Sequence, residues 1–361
     1  MRAGRHKYSL AWAILLALGL LAGCGQGRAA PAEREITDMA GRTVAVPAEV
    51  VSAFPTDPTA GICLYTLVPD RMLGWNYALN DLEKSVILEE YHDLPVFGMG
   101  DSINYEAVLA AGPSVIFVAG AIDQGSIDQA DRLAEQMDIP VVMVSSDLTD
   151  TPAAYRFMGE LFGVEEQAEL LADYAERTLA CAAALDIPEE NRLRVYYGNK
   201  QDSLETAPAG SASGQIIDMV KAVNAAGAEL GGGNRVAVSL EQLLAWDPDV
   251  IIVNGEPKAN FSGGAAARSI LENPDLAPLR AVQSGRVYGT PSAPFSWIDR
   301  PPGPNRIVGV RWLLGILYPD QCPYDVDEEV RTFFRLFYHV ELTDEALAEL
   351  YEGGLQREDG R

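Results

Sequence analysis

Two stretches of the chain carry the same pattern of apolar and polar positions. Residues 104–118 read NYEAVLAAGPSVIFV and residues 239–253 read SLEQLLAWDPDVIIV. They lie 135 positions apart and are identical at seven of fifteen places. In each, Asn104 or Ser239 opens a short helix as its N-cap and a glutamate follows two residues on. The helix stops before Pro113 or Pro248, and a fully apolar run comes next. Such runs suit strands covered on both faces. Each half therefore contains a helix-to-strand unit of an α/β sheet, and the repetition predicts two lobes of related architecture.

Other apolar runs predict strands over 50–54, 71–75, 96–97 and 140–145 in the first half. In the second half they predict strands over 193–197, 250–254 and 286–289. Helical stretches separate most of these, which favours mainly parallel sheets. Between the halves, a helical segment starts at Asp150 or Thr151, before Pro152, and breaks at Gly163. From Glu165 onward Leu170, Leu171, Tyr174, Ala175 and Leu179 recur at helical spacing. About twenty helical residues span roughly 30 Å, a domain-to-domain distance. The pattern thus predicts a stiff helical link between two α/β lobes.

The N-terminus follows a different rule. Arg2, Arg5 and Lys7 precede an apolar run from residue 10 to residue 21, with no acid in the first 23 residues. A basic start and about a dozen apolar residues make an export signal, too short to span a bilayer comfortably. The run ends in Leu21, Ala22, Gly23 and Cys24. This resembles the lipobox of bacterial lipoproteins, in which the cysteine is lipidated and becomes the mature N-terminus. The resemblance implies lipidation at Cys24, anchoring to a bacterial membrane and an extracytoplasmic location. The small and polar residues after it read as a flexible tether.

Composition narrows the class. The 361 residues are 48% hydrophobic and 22% charged, enough apolar material for one large or two medium cores. The formal net charge is −25, and loss of Arg2, Arg5 and Lys7 with the signal takes it to −28. Nucleic-acid binding needs a basic surface, so DNA and RNA are excluded as partners. Cys63, Cys181 and Cys322 remain, far apart and without a C-x-x-C, so neither a redox motif nor a zinc clip nor a disulfide framework is expected. Cys63 and Cys181 lie in helical patterns and read as small core residues. Of the histidines His6, His92 and His339, the first leaves with the signal. Bare zinc or manganese sites need more His ligands, so no protein-held metal and no cofactor is expected.

Taken in order, these phrases resemble the cluster A, or class III, substrate-binding proteins of bacterial ABC importers, the iron-chelate and cobalamin group. Residues 36–47 (ITDMAGRTVAVP) resemble the family's opening hairpin. The stretches 94–118, 150–155, 239–253, 285–288 and 297–306 match its recurring phrases in order and spacing. At 57–61 this chain has DPTAG where the family often has Ser-Ala-Thr-Glu. The resemblance implies two Rossmann-like α/β lobes joined by a single long α-helix, with the ligand cleft between the lobes. The expected boundaries are a lipoprotein signal at 1–23, a tether at 24–34, an N-terminal lobe at 35–150, an interlobe segment at 151–186 and a C-terminal lobe at 187–361.

The resemblance also implies that Glu106 and Glu241 meet arginines of the membrane permease. Charges exposed at matched helix starts on two lobes would give two-point electrostatic docking. The cleft is expected at loops on the carboxyl ends of strands. In the first lobe these carry Thr56, Asp57, Trp75, Asn76, Tyr77 and residues 98–104, including Asn104. In the second they carry Tyr197, Asn199, Lys200, residues 210–214, Arg235 and residues 292–300. Arg235 and Arg300 would focus positive potential and grip an anionic group. Trp75, Tyr77, Tyr197 and Trp297 could stack on a flat ligand. Arg306 reads as helix-terminal structure.

The leading function is capture of a ferric siderophore or related metal chelate and its delivery to an ABC permease and its ATPase. Corrinoid, heme held by a tyrosine and a molybdate-like oxyanion are alternatives within this class. An enzyme is disfavoured, because the chain lacks G-x-G-x-x-G after a strand, a P-loop and G-x-S-x-G. A lipoprotein sensor or adhesin on the same fold is the third reading, against which the paired glutamates argue.

Overall fold

The structure is a computed structural model. It describes residues 32–227, 230, 233–256 and 262–352. The expected signal at 1–23 and Cys24 lie outside the described residues. Strand β1 (Glu33–Thr37) already begins within the stretch expected to be tether, and it pairs antiparallel with β2 (Thr43–Pro47). The buried Asp38 carboxylate organises the hairpin turn, accepting from the backbone N–H of Ala40 and Arg42 and from the Arg42 guanidinium. It also accepts from Met143 N–H, which seats the hairpin on the first lobe.

That lobe runs through β3 (Ala53–Pro55), α1 (Pro58–Leu67), α2 (Asp81–Lys84), α3 (Tyr105–Ala111), β4 (Val115–Gly120), α4 (Gln124–Met137) and β5 (Val141–Ser145). Its sheet is parallel in the order β3-β4-β5, with Ala53 opposite Val115 and Ile116 opposite Val141. The expected strands 71–75 and 96–97 are reduced to isolated bridges, Ala53 with Met72 and Trp75 with Val96.

The interlobe segment is α5 (Thr151–Phe162) and α6 (Glu165–Ala184), which pack along each other. Gly163 separates them with φ +66°, a left-handed C-cap that suits glycine. The link is therefore a helical pair rather than one continuous helix. The second member, 20 residues long, packs along α11 and α12, and the first touches α12 through Tyr155, whose ring lies 5.4 Å from that of Phe337.

The second lobe contains β6 (Arg194–Asn199), β7 (Glu205–Thr206), α7 (Gln215–Met219), β8 (Val223–Asn224) and β9 (Val236–Ala237). It continues through α8 (Leu240–Trp246), β10 (Val250–Val253), α9 (Gly263–Leu271), α10 (Arg280–Gln283) and β11 (Val287–Gly289). Strands β11, β10, β6 and β8 are mutually parallel neighbours, while β7 and β9 extend the carboxyl end of β6 as an antiparallel pair. Three helices close the chain: α11 (Asn305–Leu317), α12 (Val326–Phe337) and α13 (Asp344–Glu352).

The period of two along each strand sorts side chains between cores. Val115, Phe117, Val142 and Val144 of the first sheet and Val195, Tyr197, Val250 and Ile252 of the second share one core that runs through α1, α5, α6, α11 and α12. The alternate residues Ile116, Val141 and Met143 pack outward in a first-lobe core, and Tyr196, Ile251 and Val253 in a second-lobe core. One continuous core therefore ties the lobes together on the side of the helices. The cleft opens at the carboxyl ends of both sheets.

Candidate ligand-binding cleft

A cavity of about 660 Å³ lies between the lobes. The first lobe contributes Pro58, Tyr77, Asn80, Leu82, Glu83 and Met99. The second contributes Arg235, Asn254, Glu256, Phe295, Asp299, Arg300 and neighbouring residues of the 292–302 loop. The first-lobe wall is shaped by a capping box at α2. The Asn80 side chain accepts from Glu83 N–H, and the Glu83 carboxylate accepts from Asn80 N–H at 2.7 Å. Its other oxygen accepts the Tyr77 hydroxyl at 2.8 Å. Leu82 and Met99 expose apolar side chains at the cavity's edge, 36% and 39% accessible. The N-x-x-E spacing of Asn80 and Glu83 is legible in the sequence as a helix start, yet sequence reasoning passed over it. It also missed Asn254 and Glu256, which follow directly on the apolar run of β10.

The second-lobe wall carries the charges. Arg235 donates to Asp299 Oδ2 through Nη2 at 2.7 Å and through Nε at 3.2 Å. Asp299 is enclosed, and its Oδ1 accepts the Tyr197 hydroxyl at 2.5 Å. Burial and the adjacent Asp299 charge push the Tyr197 hydroxyl well above the ordinary tyrosine range, so it stays a donor. Arg300 Nη2 lies 3.5 Å from Glu205 Oε1, and Lys200 Nζ lies 2.7 Å from Glu205 Oε2. Each arginine thus faces the cavity beside a carboxylate. Among the described lining residues Arg235 and Arg300 stand against Glu83, Glu256 and Asp299. The expected focus of positive potential is therefore corrected to a wall of paired charges.

Tyr77, Arg235 and Arg300 line the cavity as expected from sequence. Trp75, Tyr197 and Trp297 do not, and the burial of each leaves no ring face to stack on a ligand. Trp75 is 5% exposed, packs on Tyr65 and donates its indole N–H to the Tyr91 carbonyl. Trp297 is wholly buried among Trp312, Phe334 and Tyr351. Asn104 is the exposed N-cap of α3, spent on Ala107 N–H and away from the cavity. Asp57 caps α1 from a half-buried position, accepting from Ala60 N–H and Ala119 N–H, and desolvation raises its carboxyl above the usual range. Asn199 is buried, with both amide atoms unpartnered among the described residues, and Lys200 is an exposed ion-pair member.

The sequence profile described as periplasmic binding protein matches residues 68–294. The chain belongs to the periplasmic binding protein family. Proteins of this family bind solutes for ABC transporters outside the cytoplasm and are not enzymes. Solved structures agree in fold. An ABC transporter solute-binding protein from Sulfurospirillum deleyianum is 26% identical with a TM-score of 0.78, over 88% of this chain and 99% of that one. A periplasmic solute-binding protein from Veillonella parvula is 23% identical with a TM-score of 0.71, over 89% and 97%. The molybdate periplasmic binding protein of Haemophilus influenzae is 23% identical with a TM-score of 0.65, over 86% and 99%. No curated protein matches significantly. Among the described residues, no helix is long and apolar enough to cross a membrane.

In this binding protein a second cavity, of about 860 Å³, lies between the lobes, lined by Ser145, Asp147 and Asp150 of the first and by residues 210–212, Gln215 and Asp218 of the second. A bridge joins the lobes beside it. Gln215 Nε2 donates to both Asp147 oxygens at 2.9 Å, and Gln215 Oε1 accepts from Leu148 N–H at 3.2 Å. Arg306 completes the bridge, donating to Gln215 Oε1 at 3.2 Å and to the Ser146 carbonyl. Burial pushes its guanidinium down to about 10, against the pull of Asp147 and Asp299, so it remains a cation at neutral pH. The expectation of helix-terminal structure for Arg306 thus extends to a contact between lobes.

Glu106 and Glu241 stand exposed in the first turns of α3 and α8, each two residues after its N-cap. Neither lines the cavity.

Proposed function

We propose that the protein captures an organic metal chelate of the ferric siderophore type between its lobes and hands it to an ABC permease and its ATPase. The observation that carries this is the 660 Å³ interlobe cavity with Tyr77, Arg235 and Arg300 on its walls. Its volume falls within the roughly 300–1,000 Å³ of sites for small organic ligands, and far exceeds what a four-oxygen anion fills. Apolar Leu82 and Met99 on one side and guanidinium donors on the other suit a ligand with an organic surface and oxygen acceptors. Lipidation at Cys24 would hold the protein beside its permease, and Glu106 and Glu241 would provide the docking charges.

Native mass spectrometry of the protein purified from its membrane, with metal analysis, tests the reading. A bound organic mass carrying iron or another transition metal is expected. Molybdenum without an organic mass would replace the chelate by an oxyanion, the ligand of the Haemophilus influenzae relative. Heme or a corrinoid would show by its absorption spectrum. Failure to stimulate ATP hydrolysis by a cognate importer would favour the sensor or adhesin reading.

A further inference from the structure

Arg235 and Arg300 are equally exposed, 29% each, yet they are held in different ways. Arg235 spends Nε and Nη2 on one oxygen of Asp299. Two of its five N–H donors are thereby used and three remain. Asp299 is 0% exposed at its side chain, and its second oxygen is taken by Tyr197, itself 1% exposed on β6. With both oxygens engaged and enclosed, the carboxylate has no free rotamer. Arg300 has no such anchor. Its contact with Glu205 is 3.5 Å long, Glu205 is shared with Lys200, and the Arg300 Nε is buried without a partner among the described residues. Sharing one carboxylate with Lys200 at the longer distance leaves Arg300 the less firmly compensated of the two arginines.

We propose that Asp299, oriented by Tyr197, is a positioning residue that divides recognition between the two arginines. It holds Arg235 as a fixed, charge-compensated hydrogen-bond donor and leaves Arg300 as the cation that meets ligand charge. Arg235 then reads the position of acceptor oxygens whatever the ligand's net charge, while Arg300 favours anions. The functional half of this rests on the cavity being the ligand site. The pairing does not.

Phenylglyoxal, a dicarbonyl that condenses with unpaired guanidinium groups, tests the pairing in the ligand-free protein by peptide mass mapping. Arg300 should label several-fold faster than Arg235 despite equal exposure. Asp299→Asn should bring Arg235 up to the rate of Arg300, and Tyr197→Phe should raise it part of the way. Equal rates in the unaltered protein, or an Arg235 rate that neither variant changes, would overturn the proposal. The comparison within the unaltered protein stands even if Asp299→Asn fails to fold. Recognition is read with a trianionic ferric tris-catecholate and a neutral ferric tris-hydroxamate. Arg300→Ala should weaken the anionic probe about tenfold or more, flatten its salt dependence and spare the neutral one. Arg235→Ala should weaken both alike, and a loss confined to the anionic probe would overturn the division. If neither probe binds the unaltered protein, the ligand reading of the cavity fails, and the labelling rates still decide the pairing.

Discussion

Trp297 belongs to a loop that lines the cleft, but its indole points the other way, into Trp312, Phe334 and Tyr351. The backbone there lies so close to α11 that a Cβ at Gly309 would stand 1.9 Å from the Trp297 carbonyl oxygen. Trp297→Ala should therefore cost about 3–5 kcal/mol of stability, the scale for removing a buried large aromatic. Guanidinium unfolding measures it. A ligand-stacking tryptophan would instead lose affinity and keep its stability. The arginines and Tyr77 were legible from sequence, because a cation or phenol beside a strand end in this family resemblance points to the cleft. The aromatics Trp75, Tyr197 and Trp297 were not. Trp75 and Trp297 sit in irregular stretches, which carry no period that tells the core side from the open side, while Tyr197 lies in β6, a strand buried on both faces, whose apolar run does not mark which residues reach the cleft.

The helix-to-strand repeat is the element whose geometry the sequence revealed most fully. Asn104 and Ser239 cap as expected, with side chains accepting from Ala107 and Gln242 N–H. Both helices end in the left-handed region, at Gly112 and Asp247. The matched caps give Glu106 and Glu241 the same place on their helices. Hydrogen bonding to its own N–H and to Ser239 keeps the Glu241 carboxyl below the usual range, so it is ionised at neutral pH. Replacing both by arginine should abolish stimulation of a permease ATPase and leave ligand affinity within about twofold, since neither side chain lines the cavity. Calorimetric titration beside an ATPase assay checks it, and a parallel fall in affinity would refute the docking role. The break at Gly163 was equally legible, because glycine between two amphipathic runs marks a C-cap. The strands expected at 71–75 and 96–97 were not realised. Trp75 and Phe97 exchange backbone hydrogen bonds with each other's segment over too few residues to form a ladder. A β-rich composition does not reveal how many partners a segment will find.

At the scale of the whole molecule, two kinds of contact hold the lobes beyond the shared core. One is the Asp147–Gln215–Arg306 bridge beside the second cavity. Gln215→Ala should remove the hydrogen bonds that Gln215 donates to Asp147 and accepts from Leu148 and Arg306, and broaden the interlobe distance distribution read by spin labels on α4 and α9. An unchanged distribution would mean that the helices alone fix the lobes. The other contact joins the end of α12 to α1. His339 has φ +61° and turns its ring toward Tyr65, placing Nε2 3.4 Å from the Tyr65 carbonyl oxygen. Burial lowers the imidazole below its ordinary value, partly opposed by that carbonyl. The folded protein therefore keeps His339 neutral, while the unfolded chain takes up a proton near the usual value of about 6.5. The unfolded state binds more protons in that interval, so stability rises with pH there. The contribution is fully present above about pH 6.5 and is lost as pH falls toward the depressed folded value. His339→Asn keeps a side chain that tolerates the left-handed backbone and removes the titration. Urea unfolding between about pH 5.5 and 7.5 should show stability declining toward acid in the parent and a flatter profile in the variant. If the variant declines just as steeply, the acid sensitivity originates elsewhere and this interlobe contact is electrostatically silent.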